Sequence, residues 1–425
     1  MSNKSPVTLP AYLINPTKMV LPNTMLEFDV AQSKLISAGH KPNTTESCPL
    51  SGSNGRVLAQ DIVATLDLPP ADNSAMDGYA IREIDYKPGE TMAIQQRCYA
   101  GDTPEALKPG QAIRLFTGSV MPEGADCVVM QEYVDEVDDT IVIKQAPQAG
   151  DHVRKQGEDV TAGTTLFTAG TVLGPGEIAL IASQGIAELT VYPQLKIGLL
   201  TTGDELVEPG QARAPEQIFN SNAPMLAAML NRMGVPAYKV QHARDDEAEI
   251  RHVFQSLLSD CDLILTVGGV SVGDKDLIKP TITSLGGELN MWRVRMKPGR
   301  PVALAHINDI PIVGLPGNPV SAFVVFCMLV APLIRTMQGR SSPLPDIRYG
   351  QLTTPREFHG SREEFLRVQA HHPGEGMPQL IPHTDQGSAI INSLSWASAL
   401  ARIPANTSLQ DGDIVSYIDI TDCLS

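Results

Sequence analysis

Asp262-Leu-Ile-Leu-Thr-Val267 runs directly into Gly268-Gly-Val-Ser-Val-Gly-Asp-Lys-Asp276, so that an apolar strand is followed by a glycine-rich loop. Two loops of the same character come later in the chain, Met296-Lys-Pro-Gly-Arg-Pro301 and Gly314-Leu-Pro-Gly-Asn-Pro-Val-Ser321, and each adjoins an apolar run. Loops that bind phosphate occur at the carboxyl ends of parallel strands. The sequence therefore predicts a phosphate-binding active site at the edge of a parallel sheet.

Strands and helices alternate around these loops from residue 195 onward. Such alternation is typical of a doubly wound parallel α/β domain with right-handed crossovers. Either Ser221 or Asn222 suits the N-cap of the first helix. The predicted strands are 196–201, 235–240, 262–267, 301–305 and 310–314, and the predicted helices are 221–230, 247–259 and a buried helix over the apolar run 322–331.

The rest of the chain has a different pattern. Strands at 112–117, 127–132 and 140–144 indicate a β-rich domain. A strand at 55–64 and helices at 28–39 and 174–183 indicate a discontinuous α/β domain on either side of it. Short strands after residue 340, ending with one at 412–420, predict a small β-barrel or sandwich. The predicted divisions are a poorly ordered extension at 1–24, an N-terminal domain at 25–66 and 150–194, an inserted β-rich domain at 67–149, the α/β domain at 195–342 and a C-terminal β domain at 343–425.

Composition excludes several classes of protein. A net charge of -16 argues against a sequence-independent nucleic-acid binder, although a local group of cations can still bind a small anion. The six cysteines form no Cys-x-x-Cys pair, which argues against a zinc site or a disulfide framework and favours reduced thiols in the cytoplasm. No signal pattern opens the chain, and the run 322–331 is too short to cross a bilayer. We therefore expect a cytoplasmic protein that binds neither nucleic acid nor membrane.

The glycine-rich loop has the chemistry of an anion nest. Gly268 and Gly269 let the backbone approach a ligand, Ser271 adds a hydroxyl, and successive N–H groups can converge on an anion. The loop has neither Walker nor Gly-x-Gly-x-x-Gly spacing. Taken alone, it is weak evidence for a ligand, because a tight turn between a strand and a helix explains it better.

Three acidic residues follow strands of the same predicted sheet, namely Glu205, Asp245 and Asp276. The carboxyl ends of parallel strands meet at one edge, so these carboxylates are expected near the nest. Carboxylates and phosphate repel each other unless a cation lies between them, and Mg²⁺ prefers such oxygen ligands. The alternative is that Glu205 and Asp245 only cap helices.

The other two loops supply a second anion site. Lys297 and Arg300 offer positive charge beside the next strand, although a solvated turn would look the same. Pro316 to Pro319 form a rigid loop that leads into a helix near Ser321, and a helix N-terminus favours anions. Two anion sites suit a substrate with more than one phosphate, or a phosphate together with an oxyanion.

The order of the motifs resembles one family. The chain is similar to the MoeA family of molybdopterin molybdenumtransferases and to the related E domain of gephyrin, over residues 25–420. The matching motifs are Ser74-Ala-Met-Asp-Gly-Tyr-Ala80, Phe116-Thr-Gly118, Thr202-Gly-Asp-Glu-Leu206, Gly268-Gly-Val-Ser-Val-Gly273, Met296-Lys-Pro-Gly-Arg-Pro301, Leu315-Pro-Gly-Asn-Pro-Val-Ser321 and Gln386-Gly-Ser388.

The resemblance implies a multidomain α/β plus β architecture with an elongated N-terminal domain, an inserted β-rich domain, a central MogA-like α/β domain and a C-terminal β-barrel. It also implies a homodimer with the active site in a cleft between subunits. The implied reaction converts adenylylated molybdopterin and molybdate into molybdenum cofactor and AMP, with Mg²⁺. Other proteins of molybdenum-cofactor biosynthesis and molybdoenzyme acceptors are further candidate partners.

Site residues follow from the resemblance by position. It places Asp77 and Thr117 in the cleft from the inserted domain, and Glu205, Asp245 and Asp276 at the nucleotide and metal site, with Lys297 among the catalytic residues. Arg293 and Arg300 stand where the family often has Lys. Lys presents a single ammonium charge, whereas the guanidinium of Arg presents its N–H donors in a planar fork. The implied binding residues are Gly268, Gly269, Ser271, Gly273, Lys279, Arg293, Arg300, Pro316, Gly317, Asn318, Pro319, Ser321, Arg362 and Ser388.

Three alternatives remain at this point. A MogA-type molybdopterin adenylyltransferase and a CinA-type amidase resemble only the segment 195–340, so the additional domains count against both. A gephyrin-like scaffold would use the dimer surface and keep the loops as relics. The intact acids and Lys297 count against the scaffold, because a relic site does not need them.

Overall fold

The computed structural model describes residues 25–269 and 277–425, except for the side chain of Trp292. The predicted extension at 1–24 and the predicted site residues Ser271, Gly273 and Asp276 lie outside the described residues. The chain divides into two compact units. The first comprises the chain up to Glu46, residues 55–57 and Tyr192–Ser425, and the second comprises Ser47–Asn54 and Leu58–Val191.

A six-stranded sheet forms the centre of the first unit. Its strands are β1 Ile197–Thr202, β2 Ala237–Ala243, β3 Leu263–Val267, β4 Glu288–Arg293, β5 Pro301–Ile307 and β6 Ile310–Leu315. In spatial order they run β2-β1-β3-β6-β5-β4. The first four strands in that order are parallel, as predicted, whereas β5 pairs antiparallel with both β6 and β4. The edge beyond β6 is therefore built from antiparallel neighbours and not from parallel strands joined by crossovers.

Helices cover both faces of this sheet. One face packs against α1, Asn222–Arg232, and α4, Pro319–Met337, through residues such as Leu226 and Val324. The other face packs against α2, Glu247–Leu258, and α3, Ile278–Ser284. Because the sheet is covered on both sides, every residue of β1 and β3 is buried.

Two helices of this domain begin with a polar side chain near the first turn. Asp246 caps α2, because its side chain accepts from the N–H groups of Ala248 and Glu249 at 3.0 and 2.9 Å. Ser221 lies at the N-cap position of α1, as one of the two predicted alternatives has it, but its side chain makes no capping hydrogen bond. Asn220 Oδ1 accepts from the N–H of Ala223 at 3.2 Å instead, one residue before the expected position.

The apolar run predicted as a buried helix lies inside α4. Pro319–Met337 has the length of a membrane span and a mean hydropathy of 2.0, but 94% of its most apolar stretch is buried within the protein. Its middle turn, Phe326–Val330, is a wider π-helical turn. A helix apolar on all sides is expected where every side is covered by protein.

A closed barrel ends the first unit, as predicted. Its strands are β7 Arg348–Leu352, β8 Glu363–His371, β9 Gln379–Pro382, β10 Ala399–Ile403 and β11 Ile414–Asp419. Each strand pairs with the next in the order β8-β9-β7-β11-β10, and β10 pairs again with β8. The apolar interior includes Leu366, Leu380 and Val415.

Smaller elements complete the first unit. The N-terminal helix Phe28–Ala38, predicted at 28–39, contributes Phe28 and Leu35 to the core that α4 also enters. The remaining elements are the strand pairs Leu206–Val207 with Ile218–Phe219 and Phe358–His359 with Ser408–Leu409, the strand Met296–Lys297, and the helices Asn392–Trp396 and Ile420–Cys423.

The second unit is β-rich and contains the three strands predicted for the inserted domain. Its six-stranded sheet has the spatial order Cys127–Met130, Gly78–Ile81, Gln111–Leu115, Thr91–Cys98, Thr140–Ile143 and Val134–Val137. Three two-stranded ribbons accompany the sheet, and they pair Glu46–Pro49 with Glu188–Val191, Ile62–Val63 with Thr165–Phe167, and Asn73–Ser74 with Val153–Arg154. One α-helix, Pro175–Ser183, and the short 3-10 helices Leu50–Gly52, Glu83–Asp85 and Gln131–Tyr133 complete the unit.

The strand predicted at 55–64 is mostly absent. Gly55 has a φ of +76°, which belongs to a turn, and only Ile62–Val63 is a strand. Leu58 forms an isolated bridge to Val191. All six cysteines are buried, and none of them forms a disulfide bond. The division into four domains stays a prediction.

Candidate active site

Two of the three motif loops follow the adjacent parallel strands β3 and β6, and the third, residues 296–301, lies between β4 and β5. The strand order reverses between β1 and β3: β2 lies on one side of β1, and the next strand, β3, lies on the other side. Ligands of open α/β sheets bind at such a switch point. Residues after Thr202, Val267 and Leu315 therefore share one edge, as the sequence predicts.

The glycine-rich loop starts in a narrow gap at this switch point. Gly268 has a φ of +92°, and a Cβ added there would lie 2.7 Å from the carbonyl oxygen of Thr202. Its N–H points to the carbonyl of Leu315 at 3.4 Å. Only glycine fits between the ends of β1 and β6, which brings the start of the loop close to both. Gly269, also at positive φ, follows directly.

The predicted acidic residues border the same edge. Asp204 Oδ1 accepts from the backbone N–H of Asp245 at 3.1 Å, which joins the ends of β1 and β2. Glu205 is exposed, and its carboxylate lies over the Cα of Gly203. Among the residues that the structure describes, no group of three or more His, Cys, Asp or Glu side chains is placed to hold a metal ion. Asp276 lies outside that part of the chain.

The proline loop contacts the barrel through its exposed tip. Pro316 is buried, whereas Gly317 and Asn318 are exposed, and α4 begins at Pro319. Asn318 Nδ2 donates to Ser388 Oγ at 3.2 Å. The side chain of Asn222, at the start of α1, donates to the carbonyl of Gly317 at 2.7 Å. Two predicted binding residues from distant parts of the sequence therefore meet.

The cationic loop also contacts the barrel. Met296–Lys297 is a short strand parallel to the start of β8. Lys297 Nζ donates to Glu364 Oε1 at 2.8 Å, and the Glu364 side chain is only 11% exposed. At Gly299, with a φ of +100°, an added Cβ would lie 2.4 Å from Val325, so the loop packs closely against α4. Sequence reasoning missed Glu364, because nothing in the local pattern of β8 marks it as the partner of Lys297.

The other predicted binding residues of this unit differ in exposure. Arg300 and Lys279 are exposed, and Arg293 and Arg362 are half-buried. Ser321 is buried in the first turn of α4, which limits what its hydroxyl can reach. These positions are consistent with ligand contacts for the exposed residues and with a packing role for Ser321.

A second polar pair lies in the β-rich unit. The backbone N–H and the hydroxyl of Thr117 donate to Asp77 Oδ1 at 2.7 and 2.9 Å. These two hydrogen bonds, with a smaller effect from the charge of Arg114, hold the pKa of Asp77 below its ordinary value. Asp77 is therefore a fixed carboxylate, as expected for a residue that acts in its charged form.

Buried aromatic contacts keep Arg114 beside this pair. Its guanidinium lies 4.8 Å from the ring centre of Tyr79 and 5.0 Å from that of Phe116. Its Nη2 also donates to Gln131 Oε1 at 2.5 Å. Sequence reasoning missed Arg114. The available signal was a charged residue inside the predicted strand 112–117, three residues before Thr117.

Replacing Thr117 by valine is expected to raise the pKa of Asp77 toward, but not to, its ordinary value. The variant loses the hydroxyl donor and keeps the N–H donor. Because the folded pKa is lowered, ionised Asp77 stabilises the fold above its unfolded pKa, and this contribution disappears as the pH falls through the folded pKa. In the variant that contribution is smaller and is lost at a higher pH.

Titration of the Asp77 carboxyl carbon by NMR measures this change. Thr140→Val is the matched control, because the Thr140 hydroxyl donates to the carbonyl of Val137 at 3.0 Å in the same sheet. An Asp77 pKa that stays the same or falls in Thr117→Val would show that the hydroxyl does not stabilise the carboxylate.

Three family models match the chain in order. The MoeA N-terminal region (domain I and II) matches residues 26–185, a probable molybdopterin binding domain matches 198–336, and the MoeA C-terminal region (domain IV) matches 349–420. The matches therefore extend over nearly all of the described chain and over each part of the candidate site.

Known proteins give the same picture. The chain is 39% identical over 318 residues to a molybdopterin molybdenumtransferase of Haemophilus influenzae, covering 74% of this chain and 78% of the relative. It is 35% identical over 384 residues to molybdopterin molybdenumtransferase 2 of Mycobacterium tuberculosis, covering 86% and 94%. A crystal structure of a molybdopterin biosynthesis MoeA protein from Pyrococcus horikoshii OT3 superposes with a TM-score of 0.77 at 27% identity, covering 93% of this chain and 100% of the other. With its sheet-edge loops, barrel and β-rich unit all matched, the chain belongs to the MoeA family of molybdopterin molybdenumtransferases.

Proposed function

We propose that this chain is a molybdopterin molybdenumtransferase, which converts adenylylated molybdopterin and molybdate into molybdenum cofactor and AMP. The observation that carries the proposal is that both anion-binding loops contact the barrel, Lys297 through Glu364 and Asn318 through Ser388. One polar surface thus runs from the sheet edge onto the barrel. A surface of this extent suits a long substrate with several anionic groups better than a single phosphate.

Each part of the surface has a proposed ligand. The amides that begin at Gly268 bind the pyrophosphate, because backbone N–H groups at a strand end favour anions. Lys297 and the N-terminus of α4 bind molybdate or the pterin phosphate, because both are anionic oxygen groups. In this arrangement the chain contributes positive charge and N–H donors in places where the substrates contribute negative charge.

We also propose that the reaction requires Mg²⁺. The described carboxylates do not form a three-residue cluster, but Mg²⁺ commonly binds through one or two carboxylates together with substrate phosphates. Glu205 and Asp245 are the described candidates, and Asp276 is the third. Bound Mg²⁺ would supply positive charge beside the pyrophosphate.

The proposed assembly is a homodimer with the cleft between subunits. We assign Asp77 and Thr117 a catalytic role, as the family resemblance implies, and the lowered pKa of the Asp77 carboxylate supports it. We place the protein in the cytoplasm, where its six cysteine thiols would stay reduced. Other proteins of the cofactor pathway and acceptor molybdoenzymes remain candidate partners.

Complementation of two deficient strains tests this function. Expression of the chain is expected to restore molybdoenzyme activity in cells that lack molybdopterin molybdenumtransferase, and not in cells that lack molybdopterin adenylyltransferase. Rescue of the second strain alone would assign the chain to the adenylyltransferases. Rescue of neither strain by a folded, expressed protein would favour the scaffold.

A further inference from the structure

Arg367 is fully buried in β8, with 0% of its surface exposed, and its guanidinium contacts one loop. Nη1 donates to the carbonyl of Gln386 at 3.0 Å, and Nη2 donates to the carbonyls of Asp385 and Gly387 at 3.1 and 3.0 Å. Nε donates to Ser393 Oγ at 2.9 Å. Three consecutive carbonyls of the loop therefore converge on a single side chain.

The loop in turn binds the backbone of Arg367. Gln386 Oε1 accepts from the N–H of Arg367 at 3.0 Å, and Gln386 Nε2 donates to the carbonyl of Arg367 at 2.9 Å. The two residues thus hold each other through side chain and main chain. A segment held from both directions has few alternative conformations.

The residue after this held segment is Ser388, which accepts a hydrogen bond from Asn318 of the proline loop. The position of Ser388 relative to the sheet edge therefore depends on the conformation of residues 385–387. Those carbonyls are arranged around the planar guanidinium, which presents its donors in a rigid fork.

Burying the charge of Arg367 costs free energy, and a gain in stability does not explain why an arginine occupies this position. Transferring a guanidinium from water into the protein is expensive, and apolar residues of similar volume often give equal or greater stability. The hydrogen bonds of Arg367 instead define the shape of one loop. This geometry indicates that burying the guanidinium serves to fix the position of Ser388, the residue at which the held segment ends.

We propose that Arg367 is a positioning residue of the substrate site, which holds residues 385–387 so that Ser388 meets Asn318 at the proline loop. The proposal rests on the proposed function for its substrate, adenylylated molybdopterin. Arg367 itself does not touch that substrate. Its effect on binding passes through Ser388.

The variants Arg367→Lys and Ser388→Ala, and the double variant, test this role. Lys keeps the charge but cannot donate to three carbonyls in one plane. We expect the KM for adenylylated molybdopterin to rise about tenfold in each single variant, as for the loss of a well-placed hydrogen bond, with a smaller change in kcat. We expect the double variant to match the single variants, because both changes remove the same contact.

Arg335→Lys is the matched control. Arg335 is 3% exposed, and it donates to the backbone carbonyls of Pro343, Asp422, Cys423 and Ser425, away from the proline loop. We expect this variant to lower the melting temperature without changing KM. Equal changes of KM in Arg367→Lys and Arg335→Lys, or multiplying effects in the double variant, would overturn the positioning role.

Hydrogen exchange gives a readout that does not depend on the proposed reaction. The amides of residues 385–388 are expected to exchange at least tenfold faster in Arg367→Lys than in the unmodified chain, and at the unmodified rate in Arg335→Lys. Unchanged exchange in Arg367→Lys would refute the inference even if the chain makes molybdenum cofactor. Faster exchange in a protein without turnover would instead refute only the proposed function.

Discussion

Replacing Asp77 by alanine is expected to lower the rate of molybdenum-cofactor synthesis by about 100-fold or more, the range for loss of a positioned charged group, while the fold stays intact. Asp77 is an ionised carboxylate held by two donors of Thr117, and it lies outside the described apolar cores. Its removal therefore affects chemistry and not packing. The measurement is the single-turnover rate, with circular dichroism to verify folding.

Asp72→Asn is the matched control for this experiment. Asp72 is in the same unit and also has a lowered pKa, because Lys155 and the N–H of Gln156 each donate to it at 2.8 Å. Asp72 belongs to none of the matched site motifs. Because it takes part only in an exposed ion pair, we expect the single-turnover rate of Asp72→Asn to stay within about threefold of that of the unmodified chain. Near-normal synthesis by Asp77→Ala would contradict the role of Asp77.

The second large effect is expected at Lys297. Changing it to methionine removes a charged donor from the proposed oxyanion site, and each charge-assisted hydrogen bond contributes about 1.5–3 kcal/mol. We therefore expect the KM for molybdate to rise by about 10- to 100-fold. Steady-state rates at several molybdate concentrations measure this change.

The partner of Lys297 complicates a simple substitution. Glu364 is mostly buried, and a buried carboxylate that loses its cation is strongly destabilising. The double variant Lys297→Met with Glu364→Gln removes both charges, so that no unpaired carboxylate is left buried. Its molybdate KM therefore reports the loss of binding without a large loss of stability. Lys239→Met, which breaks the ion pair between β2 and Asp260 in the same domain, is the control for loss of a lysine. A molybdate KM that changes equally in this control would argue against an anion site at Lys297.

Local patterns predicted the elements that depend on local physics. The strands at Ile197–Thr202 and Leu263–Val267 are buried on both faces, so their apolar runs were readable directly. The same holds for α4, because its apolar run has the length of a helix and not of a strand. The strand predicted at 55–64 failed because Gly55 adopts a turn conformation, which a run of β-forming residues after it does not reveal.

The candidate site divides in the same way. Glycine- and proline-rich loops after strands indicated Gly268, Lys297 and Asn318 without knowledge of the fold. Glu364 and Arg367 act through contacts between residues far apart in sequence, and no spacing rule brings β8 to those loops. The resemblance supplied Ser388, but only the structure connects it to Asn318 and, through the loop, to Arg367.

Release of AMP from adenylylated molybdopterin tests the central claim most directly. The purified chain is incubated with adenylylated molybdopterin, molybdate and Mg²⁺, without ATP, and AMP and bound molybdenum are quantified together. We predict one AMP released for each molybdenum inserted, and loss of insertion when molybdate is left out. A folded protein that releases no AMP under these conditions would contradict the account, as would consumption of ATP and molybdopterin in a parallel incubation that contains those two substrates instead.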